Sequence, residues 1–146
     1  MKALLFFLLF AGISGEPVWS TNFEEAKIEA GKSGKMILVS FSGSDWCIPC
    51  IKMEKQLFHS AAFEDYAVKD LVLVKADFPR LKKNKLSKEQ TELNEQLASR
   101  YNPHGIFPLT LLIDGSGKVV KQWDGLPSET PEAFVGEINT AAHARH

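Results

Sequence analysis

"GSDWCIPC", residues 43–50, holds both cysteines of the chain, Cys47 and Cys50, with Trp46 before the first and Pro49 before the second. Two cysteines at this spacing can serve as a staple, as half of a metal grip or as a redox couple. A bridge closing a loop of about four residues restrains the unfolded chain by only about 2 kcal/mol in the chain-entropy picture, against roughly 4.7 for a 100-residue loop. It is poorly placed as a staple. Structural zinc takes four protein ligands, often from two such pairs. The chain has no second pair, and His59, His104, His143 and His146 come near one another only at the C-terminal end, so no metal is expected. Haem attachment requires histidine directly after the second cysteine, where Ile51 stands. Redox chemistry is the remaining reading.

The flanks place the pair. "MILVSF", residues 36–41, is a continuous apolar run of β-formers that ends at Ser42-Gly43-Ser44, and it reads as a buried central strand. Beyond the turn, Ile51, Met53, Leu57 and Phe58 interleave with Lys52, Glu54, Lys55 and Gln56 as on an amphipathic helix that begins at the cysteines. A helix start offers unpaired N–H groups and the positive end of its dipole to a developing thiolate. Cys47, at the exposed edge, is the expected nucleophile, and Cys50, one turn deeper, the expected resolving thiol. Pro49 falls in the first turn, where a missing N–H costs little and its fixed φ starts the helix.

At 146 residues, 45% hydrophobic and 24% charged, the chain suits one globular domain. It opens with Met1-Lys2 and "ALLFFLLFAGI", residues 3–13, which end in small residues and are shorter than the ~20 needed to span a bilayer. Residues 1–15 therefore read as a secretory signal peptide and 16–146 as the mature domain, exported and expected in the periplasm. A formal net charge of −1 gives no support to nucleic acid or a membrane surface as partner. Export would place the cysteines in an oxidising compartment.

The rest reads as alternating helices and strands. Helices are expected over residues 22–35, capped near Thr21 or Asn22 and stopped near Gly31 or Gly34, over 60–70, over 87–101, and over 130–142, where Thr130 precedes Pro131. "LVLVKADF", residues 71–78, is a second buried strand. "PLTLLID" and "KVVKQWD", on either side of Gly115-Ser116-Gly117, form a hairpin. Trp19 and Trp123 read as core or edge residues. "PRLKKNKLSK", residues 79–88, is half basic and reads as a solvated loop ahead of a substrate-docking surface.

With strand, W-C-x-P-C, helix, strand, helix and then Gly105-Ile106-Phe107-Pro108 before the hairpin, most of the mature chain resembles the thioredoxin-like family. "FSGSDWCIPC" and "FPLTLLID" look like exported bacterial members of Bacteroidetes type. The resemblance implies an α/β thioredoxin-like fold with a central mixed sheet flanked by helices. It makes Cys47 and Cys50 the redox pair and Pro108 a cis-proline facing it, with Trp46, Pro49, Phe107 and Pro108 on the substrate-binding surface. Trp46 is equally well read as ordinary packing at the strand–helix junction. Lys75 falls where thioredoxins often carry a lysine near the site. Ser40 stands where they usually have a buried aspartate that helps deprotonate the resolving cysteine. Asp45 reads first as an exposed helix-start carboxylate and second as a replacement for that acid. One extra residue before Trp46, and Leu109 between Pro108 and Thr110, depart from the family pattern on both sides of the site.

The activity implied is thiol-disulfide exchange on protein dithiols and disulfides, with no cofactor beyond the Cys47–Cys50 disulfide. Ile48 and Pro49 bring no cation to stabilise a reduced thiolate as a strong oxidant requires, so the reducing direction is favoured. A membrane-embedded thiol donor is then expected to recharge the protein, and a monomer is expected. The rival readings are an isomerase or oxidase, and a client-binding module whose cysteines stay idle.

Overall fold

The computed structural model describes residues 15–144. The signal-peptide reading, Gly15 apart, lies outside the described residues. Among these, no helix is long and apolar enough to cross a membrane.

The chain runs β1 (Trp19–Ser20), α1 (Phe23–Ser33), β2 (Met36–Ser42), α2 (Ile48–Met53), α3 (Ala61–Asp70), β3 (Leu71–Asp77), α4 (Lys88–Tyr101), β4 (Leu109–Ile113), β5 (Val119–Asp124) and α5 (Pro131–His143). Local chemistry sets most boundaries. Asn22 caps α1 by accepting the Glu24 and Glu25 N–H groups, and Gly34 ends the helix at φ 72°. Ser60, Ser87 and Thr130 accept the Phe63, Gln90 and Ala133 N–H groups at the starts of α3, α4 and α5. The expected elements are thus present. Three features went unforeseen: β1, too short to show an alternation; a 3₁₀ turn over Lys82–Asn84; and a π-helical turn, Glu54–Phe58, that continues α2. That turn buries the adjacent residues Leu57 and Phe58 together, at 2% exposure each.

The five strands form one mixed sheet in the order β1-β3-β2-β4-β5. β1 and β2 pair parallel with β3, β4 is antiparallel to β2, and β5 is antiparallel to β4. Central strands covered on both faces read as apolar runs, as β2 does over residues 36–39 and β3 over 71–74. Ile37, Val39 and Phe41 face α1 and α4 with Val72, Val74, Leu109 and Leu111. Met36 and Leu38 face the other way, with Leu71, Leu73 and Leu112, onto Met53, Leu57, Phe63, Phe134 and Ile138. Trp19, half-buried on the edge strand, meets Phe58 edge-on at 5.0 Å, and buried Trp123 meets Phe134 at 5.1 Å.

Two buried asparagines fix the loops at the functional end of the sheet. Asn94 donates to the Asp77 carbonyl. Asn102 accepts the Ile106 N–H and donates to the Ile106 carbonyl, both at 2.8 Å, and so closes the loop that delivers Phe107 and Pro108. Asn102→Ala strips both partners from a part-buried backbone, where each unsatisfied group costs about 1–3 kcal/mol. A lowered urea midpoint of unfolding with an unchanged slope is the expected result.

Candidate active site

β2 and α2 are joined by Gly43, Ser44, Asp45 and Trp46, and the junction is tight. Cys47 and Trp46 N–H both donate to the Gly43 carbonyl, at 2.9 and 3.3 Å. A Cβ on Gly43 would come within 2.6 Å of Trp46 Nε1, so the indole can lie on the junction only because that position has no side chain. Cys47 is the N-cap of α2 and Pro49 stands in its first turn, as the sequence suggested.

Cys47 and Cys50 form a disulfide, with Cα atoms 5.2 Å apart. Cys47 Sγ accepts the Cys50 N–H at 3.3 Å, and Cys50 Sγ accepts the Gly43 N–H at 3.5 Å. The sequence placed Cys47 at an exposed edge; in the disulfide form it is 5% exposed and Cys50 4%. The cap geometry folds the first sulfur back over its own helix turn. Exposure does not separate the two, whereas the helix-start N–H acts on Cys47 alone. Between them, Ile48 is 66% exposed, and Pro49 is exposed as well.

Trp46 is held from three sides. Its Nε1–H donates to the Phe78 carbonyl at 2.7 Å, Phe107 meets it edge-on at 5.5 Å, and the Arg80 guanidinium lies 3.7 Å from its ring centre. The Phe107–Pro108 bond is cis, and Pro108 is buried. Trp46, next to Cys47 in sequence, and Phe107 therefore pack together, and the cis bond carries the chain from Phe107 into β4.

Lys75 and Ser40 lie opposite each other in the β2–β3 register, and Thr110 flanks Ser40 on β4. All three are on the α2 side of the sheet. Lys75 Nζ sits 2.7 Å from each carboxylate oxygen of Glu54, the first residue of the π turn, and 4.7 Å from the Trp19 ring centre. Glu54 and Lys75 line a cavity of about 290 Å³ that also touches Cys50 and Ser42. Glu54 is the site residue that sequence reasoning missed. Four places after Cys50, it sat among residues that looked like the polar helix face. The usable signal was an interior-facing lysine on β3 that required an anion.

Asp45 is engaged elsewhere. Its carboxylate accepts the Arg80 and Leu81 N–H groups at 2.9 and 3.0 Å and the Asn84 amide at 3.0 Å. These bonds, the Arg80 N–H first and the Asn84 amide next, hold its carboxyl below the ordinary value of 3.8. No group of three or more metal-ligating side chains occurs among the described residues.

Residues 18–114 match the model of a family described as Thioredoxin-like. The chain belongs to the thioredoxin-like family. It is 34% identical over 124 residues to a protein of Chlamydia pneumoniae named "Disulfide bond reductase DsbH", covering 85% of this chain and 72% of that one. A solved structure titled "DsbH Oxidoreductase" superposes with a TM-score of 0.80 at 31% identity, over 99% of this chain and 96% of the other. A thioredoxin from Thermus thermophilus matches at TM-score 0.65 and 19% identity, over 90% and 99% of the two chains, a likeness of fold. With its C-x-x-C pair, this thioredoxin-like protein is a thiol-disulfide oxidoreductase.

The Asp45 anchor is testable by titration. Because its folded pKa is depressed, its contribution is complete above the ordinary value and is lost as pH falls through the lower one. The Arg80 and Leu81 amide-proton shifts should titrate together with a midpoint below 3.8. Asp45→Asn should abolish that titration, and a midpoint at or above 3.8 would show that the anchor does not form.

Proposed function

We propose that this protein is an exported reductant of protein disulfides. The observation that carries the reading is the placement of Cys47 Sγ as the helix-cap acceptor of the Cys50 N–H, with Ile48 and Pro49 beside it and no cation between the cysteines. The name of the Chlamydia relative, a disulfide bond reductase, supports the direction. The apolar N-terminal stretch supports export.

In the reduced protein, the Cys47 thiolate attacks one sulfur of a substrate disulfide and the other leaves as thiolate, giving a mixed disulfide. Cys50 then loses its proton and attacks Cys47 Sγ. The second substrate thiolate leaves, and two electrons have passed from the pair to the substrate. Glu54, held by Lys75 in the cavity next to Cys50, is the base for that second step and takes over the role vacated at Ser40. Trp46, Pro49, Phe107 and Pro108 frame the approach of the substrate. A membrane-embedded thiol donor recharges the oxidised pair, and the protein acts as a monomer.

Insulin-disulfide reduction by the chain lacking residues 1–15 tests the reading, with Cys47→Ser abolishing turnover and brief alkylation of the reduced protein labelling Cys47. Equilibration with glutathione should give a potential nearer approximately −270 mV than the approximately −120 mV of a strong oxidant. A value above about −150 mV would reverse the direction, and full turnover in Cys47→Ser would sink the mechanism.

Glu54→Gln separates the second step from the first. The initial attack should keep its rate while resolution of the mixed disulfide slows, up to about a hundredfold at neutral pH, the lower end of what a positioned base supplies. Quenched-flow trapping of the mixed disulfide reads the two steps apart. Unchanged resolution would remove Glu54 from the mechanism.

A further inference from the structure

We propose that the basic loop over residues 79–88 docks acidic segments flanking a substrate protein's disulfide, a specificity that rests on the reductase reading above. The loop is built onto the active-site motif. Asp45, two residues before Cys47, holds the Arg80 and Leu81 N–H groups and the Asn84 side chain, and the Arg80 guanidinium lies on the indole of Trp46, the residue next to Cys47. The loop is thus fastened to the two residues that precede Cys47.

The charge is local and mostly unpaired. Arg80, Lys82, Lys83, Lys85 and Lys88 occupy half of the segment with no acid among them, in a chain whose formal net charge is −1. Lys88 pairs with Glu92 at 3.9 Å, while Arg80, Lys82, Lys83 and Lys85 are exposed and make no ion pair among the described residues. The Asp45 carboxylate against the loop is taken up by N–H donors. Like charges gathered on a turn repel one another, and an anion from outside relieves that repulsion. Apolar surface adjoins: Leu81 is 47% exposed, and a cavity of about 390 Å³ runs between Phe78, Leu81, Lys85 and Leu86. Of the two carboxylates that also line it, Asp77 is bound by Ser44, and Glu95 is the other. An extended segment with acidic residues near its cysteine fits this surface. Single exposed pairs contribute little to affinity. A patch of one sign attracts an acidic segment as a whole, raising on-rates and, with them, binding at low salt.

Two peptide disulfides of one sequence, flanked by glutamates or by lysines, provide the test, with bis(2-hydroxyethyl) disulfide as the neutral control. The reduced protein should reduce the acidic peptide about tenfold faster than the basic one at low salt. That advantage should vanish near 1 M salt, where screening acts within about 3 Å. The Lys82→Gln/Lys83→Gln/Lys85→Gln variant should lose most of the preference and keep its rate on the neutral disulfide within about twofold, since nothing there responds to a steering field. Equal rates for the two peptides, or a preference that survives the triple substitution, overturns the docking surface. Serine versions of both peptides, titrated onto the oxidised protein, read binding without thiol chemistry. Tighter binding of the acidic version by the wild type, lost in the variant, supports the surface, and equal binding overturns it. Retained preferential binding in a protein that reduces none of the three disulfides would refute the reductase reading and leave the surface standing.

Discussion

Two exposed-side carboxylates, Asp45 and Asp77, tie together the loops that follow β2 and β3, and the site's arrangement depends on that stitching. Asp77, at the end of β3, accepts from the Ser44 N–H and hydroxyl, while Asp45 accepts from Arg80, Leu81 and Asn84 in the opposite direction. The Phe78 N–H reaches the Ser42 carbonyl, and Trp46 returns a bond to the Phe78 carbonyl. With both loops fixed, the indole is trapped between Gly43, Phe107 and Arg80. An ion pair between mobile side chains would pay rotamer entropy for little gain. Here the donors are mostly backbone N–H groups already positioned by strand and turn, so less freedom is lost for each bond formed.

The sheet's α2-side face carries a second constraint. It is apolar at Leu38, Leu73 and Leu112 and turns polar one strand-period later, at Ser40, Lys75 and Thr110, which are neighbours in the register. A cation so placed needs an anion, and a serine at position 40 cannot supply one. Glu54 supplies it from the helix side, where α-helical winding gives way to a π turn. The carboxylate beside Cys50 thus comes from a different element than the family pattern suggests.

The fold was largely legible because its signals are local. Apolar runs gave β2 and β3, a capping residue preceded each of α1, α3, α4 and α5, and paired glycines marked the hairpin. The redox pair and Pro108 were legible through the motif and the family resemblance. What escaped depended on tertiary pairing. β1 is two residues long and exists only against Leu73 and Val74. Glu54 had the sequence context of a solvated helix face, and only the register of β3 shows why it turns inward. Asp45 lay within reach as a helix-start acid, but its partners are some 35 residues away, in a loop that composition alone marked as solvent. The near-equal burial of the cysteines follows from the bridge itself, which draws the cap sulfur down onto the first turn.

Topology explains why chemistry and selection meet at one end. β2 and β3 are parallel, so both release the chain at the same edge of the sheet, and β4, antiparallel to β2, begins there. The cysteines follow β2, the basic loop follows β3, and Phe107-Pro108 precedes β4. Three separate segments must therefore converge, as ligand sites do at the carboxyl ends of strands in open α/β sheets. The division of labour follows from what each segment is attached to. The cysteines belong to a helix start whose N–H groups set thiol reactivity, and changes there alter the chemistry. The loop after β3 is fastened by its backbone, leaving Lys82, Lys83 and Lys85 free of structural duty. Their charges can change without disturbing the couple, so the loop's contacts with a substrate are separable from the exchange reaction.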